Sequence, residues 1–159
     1  MADDDDFWPS ERIPTRDTAV IAAVHGAGYC ITRRLELSTR DHGLDAVEAL
    51  VLTQLLREPA CPSWLLRSRT GLHRSTLSSI LDRLERDGRI ERRRNSVDGR
   101  RFEIGLTSTG RMAAEIANAL MRDVEAEIAG YTSRAERHGA VAVFEACLAL
   151  GRRERGAFG

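Results

Sequence analysis

The sequence predicts a mainly α-helical chain that carries one small β-hairpin, an α+β protein. Three observations carry this prediction. Apolar residues recur at three- and four-residue steps over most of the chain. Helix-capping patterns stand at Asp45-Ala46-Val47-Glu48 and Ser133-Arg134-Ala135-Glu136. Two short runs, 89–94 and 101–106, flank Ser96-Val97-Asp98-Gly99, and Asp-Gly is a strong hairpin signal.

Residues 1–16 combine an Asp run with Pro9 and Pro14 and read as a flexible acidic arm. From about 17 to 43, Val20, Val24, Ala27, Ile31 and Leu35 mark one face of a helix, weakened at Gly26 and Gly28 and ended at His42-Gly43. The next helix opens at Asp45, carries Ala49, Leu52, Leu55 and Leu56, and stops before Pro59. A short segment, 62–70, precedes Gly71-Leu72. A longer helix then runs from about Arg74 to Asp87, with Leu77, Ile80, Leu81 and Leu84 in one stripe. Gly88 stands where a helix commonly ends in a left-handed residue. In the second hairpin arm Phe102, Ile104 and Leu106 alternate with Glu103 and Gly105, the period of a half-buried strand. Thr107 is placed to cap a helix reaching about Ala129 with Met112, Ile116, Leu120 and Val124 on one face. A last helix holds Val141, Phe144 and Leu148.

A short helix, a Gly-containing turn, a longer helix and a β-hairpin, in that order, are the parts of a winged helix-turn-helix, which lays its second helix in the DNA major groove. Charge agrees with that reading. The chain's net charge is zero, yet residues 64–111 hold twelve Arg and six acidic residues, a local +6, and the remainder carries −6. Such asymmetry suits a nucleic-acid face, although a solvated charged surface would also show it. Arg74, Ser75, Thr76, Ser78 and Ser79 gather at the start of the long helix, where small hydroxyls permit close approach to bases and phosphates and the helix dipole favours a phosphate. The same hydroxyls would serve as the polar face of any amphipathic helix. The hairpin weighs against that plainer view, because it carries Arg92, Arg93 and Arg94 on one arm and Arg100 and Arg101 beyond the turn.

Other functions find less support. The three cysteines, Cys30, Cys61 and Cys147, are odd in number and scattered, which argues against a disulfide framework. They share no ligand spacing with the four histidines, so no metal and no cofactor is expected. There is no nucleophile elbow, Gly-rich phosphate loop or metal motif, so no enzyme is expected. No apolar run is long enough to span a bilayer and the acidic start is unlike a signal peptide, so no membrane partner and a cytoplasmic location are expected.

The run from Ser75 to Arg92 resembles the recognition helix and first wing strand of the MarR family of transcriptional regulators. Asp98-Gly99-Arg100 is similar to the family's Asp-x-Arg wing signature, and Leu106 to Arg111 to its Leu-Thr-x-x-Gly-Arg start of the fifth helix. Residues 44–52 resemble its second helix, with Glu48 where a Gln is common. Leu65, Arg67 and Thr70 depart from the family pattern in the third helix. The resemblance implies a winged helix-turn-helix over 44–107 between dimerisation helices at 17–43 and 108–159. It implies a homodimer on a pseudo-palindromic operator, typically a repressor released by a small aromatic or anionic effector. By the same resemblance Arg100 enters the minor groove, held by Asp98. Arg74, Ser75, Thr76, Ser78 and Ser79 are the major-groove candidates, and Arg83 and Arg101 are phosphate contacts or internal salt bridges. By location, His25, Tyr29, Arg33 and Trp64 are candidate effector contacts, though Tyr29 and Trp64 would equally serve as core aromatics. A redox sensor built on Cys30 is the alternative, but nothing in the sequence sets a base beside that thiol. A winged helix that binds only protein is the other.

Overall fold

The computed structural model describes residues 20–94 and 102–156. Its elements run α1 (Val20–Thr39), a 3-10 turn (Arg40–His42), α2 (Ala46–Arg57), β1 (Cys61–Pro62), α3 (Ser63–Thr70), α4 (Arg74–Arg86), β2 (Ile90–Arg94), β3 (Phe102–Leu106), α5 (Ser108–Tyr131) and α6 (Arg134–Gly156). The chain divides into two compact units, residues 1–31 and 32–159. Within the first, the described residues 20–31 are helical, all exposed except the half-buried Cys30.

The second unit holds the core. Leu52, Leu55, Leu66 and Leu84 are fully buried, joined by Val51, Leu77, Leu81, Ile90 and Ile104 from the helices and the sheet and by Ala114 and Ala117 from α5. The alanines let α5 lie close on α2. A smaller cluster joins Leu35, Ala46 and Val124, with Met121 and Ile128 against it. Beside it Arg34 donates to both carboxylate oxygens of Glu127, at 2.6 and 3.1 Å.

Local chemistry explains the helix ends. Asp45 accepts from the backbone N–H groups of Val47 and Glu48, and its own N–H donates to Glu48, a full capping box. Ser133 and Glu136 form the second one, at 2.7 and 3.2 Å. At the end of α4, Gly88 takes φ 67°, the left-handed region open to glycine. Its N–H donates to Glu85 O, and the Arg89 N–H donates to Leu84 O at 2.9 Å, which satisfies two carbonyls left over by the last turn.

The hairpin expectation needs one correction. The sheet has three antiparallel strands in the order β1-β3-β2, because Cys61 and Pro62 pair with Ile104 and Glu103. A two-residue strand is too short to show a period, and Pro62 is tolerated because β1 is an edge. The segment 63–70 is the expected short helix, eight residues long.

Candidate nucleic-acid interface

α4 presents a divided surface. Leu77, Ile80, Leu81 and Leu84 are buried, and Arg74, Ser75, Thr76, Ser78 and Ser79 are all exposed. The helix begins at His73, whose ring nitrogen accepts from the Ser75 N–H and lies 2.9 Å from Ser75 Oγ. Ser79 Oγ donates to the carbonyl of Ser75 at 3.1 Å. Two of the four hydroxyls thus have local partners that a ligand could replace at little cost, because the sites are exposed. No acidic residue lies in the first turn. The positive end of the helix dipole and the Arg74 guanidinium therefore act together on any phosphate placed there.

β2 and β3 pair from Ile90–Leu106 to Arg94–Phe102 and project a row of arginines beside α4. Those arginines have separate tasks. Arg92 reaches back to α4, 2.5 Å from Asp82 and 3.1 Å from Glu85, and so anchors the wing to the helix. Arg93 pairs with Glu91 and is mostly exposed. The guanidinium of Arg94 sits 5.8 Å from the centre of the Phe102 ring. Asp98, Arg100 and Arg101 lie outside the described residues.

Between α3, α4 and the sheet is a groove of about 820 Å³, walled by Trp64, Arg67, Arg74, Leu77, Arg92 and Phe102. Trp64 is 61% exposed here, and Tyr29, in the first unit, is 56% exposed, so neither is a core aromatic. His25 is exposed in the first unit, and Arg33 is half-buried in the second. Arg83 is an internal ion-pair residue: it donates to Asp45 and Glu48 on α2. Desolvation lowers its guanidinium, and the charges and hydrogen bonds of Asp45 and Glu48 together outweigh that and leave it above the ordinary value.

Thr107 was legible as a cap; its second task was not. Its hydroxyl accepts from the Gly110 N–H at 3.0 Å and donates to Gly88 O at 2.7 Å, and its own N–H donates to Arg89 O. The start of α5 is thereby bonded to the exit of α4.

All three cysteines are free thiols. Cys61 is fully buried, and that burial pushes its thiol up from the ordinary value. Cys147 is exposed and Cys30 half-buried. In the folded chain at neutral pH, a thiol reagent is expected to modify Cys147 and spare Cys61 until denaturant is added. Mass spectrometry of labelled peptides checks this, and early labelling of Cys61 would contradict its burial. No group of three or more possible metal ligands occurs among the described residues, and no described helix is long and apolar enough to cross a membrane.

Comparison with known proteins agrees with this geometry. A model of the MarR family matches residues 42–101. The HTH-type transcriptional regulator TtmR of Methylorubrum extorquens is 33% identical over 95 residues, 60% of this chain and 49% of that protein. The chain thus spans about half the length of that relative. Wild-type MarR from E. coli, in its apo form, superposes with a TM-score of 0.63 at 22% identity, covering 87% of this chain and 99% of that one. The S. aureus MepR–DNA complex gives 0.69 at 18% identity, covering 82% and 97%. The relative matched by sequence is named as a transcriptional regulator, and the solved structures share the fold. Over residues 42–101 the chain is thus similar to the MarR family, and the winged-helix fold of the MarR structures surrounds that segment.

Proposed function

We propose that this chain is a cytoplasmic, sequence-specific regulator of transcription that binds double-stranded DNA as a homodimer. The observation that carries the reading is the joint face of α4 and the wing. Arg74, Ser75, Thr76, Ser78 and Ser79 stand exposed over a fully apolar underside, next to an arginine-bearing hairpin. An exposed, hydroxyl-rich helix start with a cation fits base edges and phosphates in a major groove, and arginines carried by a hairpin fit the adjacent minor groove. MepR, which shares the fold, was solved on DNA.

The dimer reading rests on apolar surface. Val20, Ile21 and Val24 on α1, Met112 and Ile116 on α5, and Val141, Phe144 and Leu150 on α6 are 40 to 85% exposed in the single chain. That is more apolar side chain than a solitary soluble domain normally leaves in water. A two-fold dimer would set two α4 helices on two half-sites of a pseudo-palindromic operator.

The finer reading is a repressor that leaves DNA on binding a small aromatic or anionic effector, with Trp64 of the second unit among the contacts. Trp64 offers an exposed ring with Arg67 and Arg74 in the same groove, which suits a planar anion. The DNA reading is tested by selecting duplexes from random-sequence DNA with the wild-type chain and measuring affinity for the winners. Arg100→Ala is expected to weaken binding by roughly 1–3 kcal/mol with the dimer intact. Unchanged affinity would remove the wing from the mechanism, and failure to select any duplex would leave a module that binds protein only.

A further inference from the structure

Glu48 is the best-enclosed charged side chain near the interface, 4% exposed in the first turn of α2. A carboxylate so placed is costly unless its oxygens are matched. Both are. Oε1 accepts from Arg83 Nε. Oε2 accepts from the Asp45 N–H at 3.3 Å and lies 3.7 Å from Arg89 Nη1. The two arginines come from the two DNA-facing parts. Arg83 is in the last turn of α4, and Arg89 is the residue immediately before β2. Arg89 Nη1 is buried without a hydrogen bond, so the Glu48 charge is what balances it. Its Nη2 donates to Gly43 O at 3.1 Å, and its carbonyl accepts from the Thr107 backbone N–H and hydroxyl. The neighbouring Arg83–Asp45 pair is more than two-fifths exposed at both ends, and such pairs contribute little.

We propose that Glu48 is a positioning residue for DNA reading. Through Arg83 it fixes the angle of α4, and through Arg89 it fixes the base of the wing, both against the first turn of α2. The helix and the wing then meet DNA as one body. This rests on the DNA-binding reading above, and one of its two tests is independent of DNA.

Glu48→Gln keeps the shape and leaves an oxygen to accept from the Asp45 N–H, so the α2 cap survives while the charge is lost. In the full-length protein, amide hydrogen exchange over residues 83–94 is expected to rise on the order of tenfold, with α5 unchanged. Affinity for a duplex selected by the wild-type chain is expected to fall on the order of tenfold. In an Arg83→Gln background the same substitution should add much less than it does alone. Arg89→Met cuts the second link and should raise exchange over 89–94. Glu127→Gln, which breaks the remote Arg34 pair, should change neither readout. Unaltered exchange over 83–94, or full additivity with Arg83→Gln, overturns the proposal. If the wild-type chain selects no duplex, the DNA reading falls, and the exchange data still decide whether Glu48 braces α4 and the wing.

Discussion

Replacing Gly110 with Ala is expected to destabilise the protein by about 3 kcal/mol or more, because backbone rather than a movable side chain stands in the way. A Cβ at Gly110 would fall 1.6 Å from the carbonyl oxygen and 2.6 Å from the carbonyl carbon of Arg89. Relief requires α5 to lift from the exit of α4. That would stretch the Thr107 hydrogen bonds to Gly88 and Arg89. For a chain of this size the melting temperature should drop by roughly 6–12 °C in thermal unfolding followed by circular dichroism. Gly130→Ala is the control, since nothing lies within 4 Å of a Cβ there and helix propensity favours Ala. Equal melting of wild type and Gly110→Ala would show that the two backbones are not in this contact.

Truncation after Gly130 is expected to abolish dimerisation and, with it, high-affinity DNA binding. The cut removes α6 and its exposed Val141, Phe144 and Leu150. Burial of side chains of that size contributes about 1.5–3 kcal/mol each, and a symmetric interface gains each contribution twice. The lobe itself should stay folded, since its core draws on α2 to α5 and the sheet. Sedimentation of the truncated chain checks the result. A stable truncated dimer would move the interface to α1 and α5.

How much of this could be read from the chain depends on how local each cause is. Both capping boxes, the Gly88 stop, the Thr107 cap and the α4 stripe are set within a few residues, and each lies where the sequence placed it. The exposed Ser/Thr set on α4 followed from the same stripe. Contacts between distant residues left no periodic mark. Glu48 and Arg83 are 35 residues apart, so Arg83 could be narrowed only to a phosphate contact or an internal pair. Arg92 reads in the sequence as one more cation of the wing, but its partners Asp82 and Glu85 lie on another element. Gly110 fitted a pattern, but its reason is a backbone approach to Arg89 that no spacing reveals. Trp64 and Tyr29 fit a core as well as a pocket in the sequence, and in the single chain both are exposed.

If the α4 and wing face binds duplex DNA, its affinity must depend on salt, and that dependence is the most direct test. The measurement is fluorescence anisotropy of a selected duplex titrated with the full-length protein between 50 and 200 mM salt. Arg74 and the wing arginines of two protomers would displace several condensed counterions. The logarithm of affinity should therefore fall linearly with the logarithm of salt, by roughly a thousandfold across that range if about six phosphates are neutralised. Arg100→Ala should flatten the slope. Affinity that is indifferent to salt, or a slope unchanged by Arg100→Ala, would contradict the account.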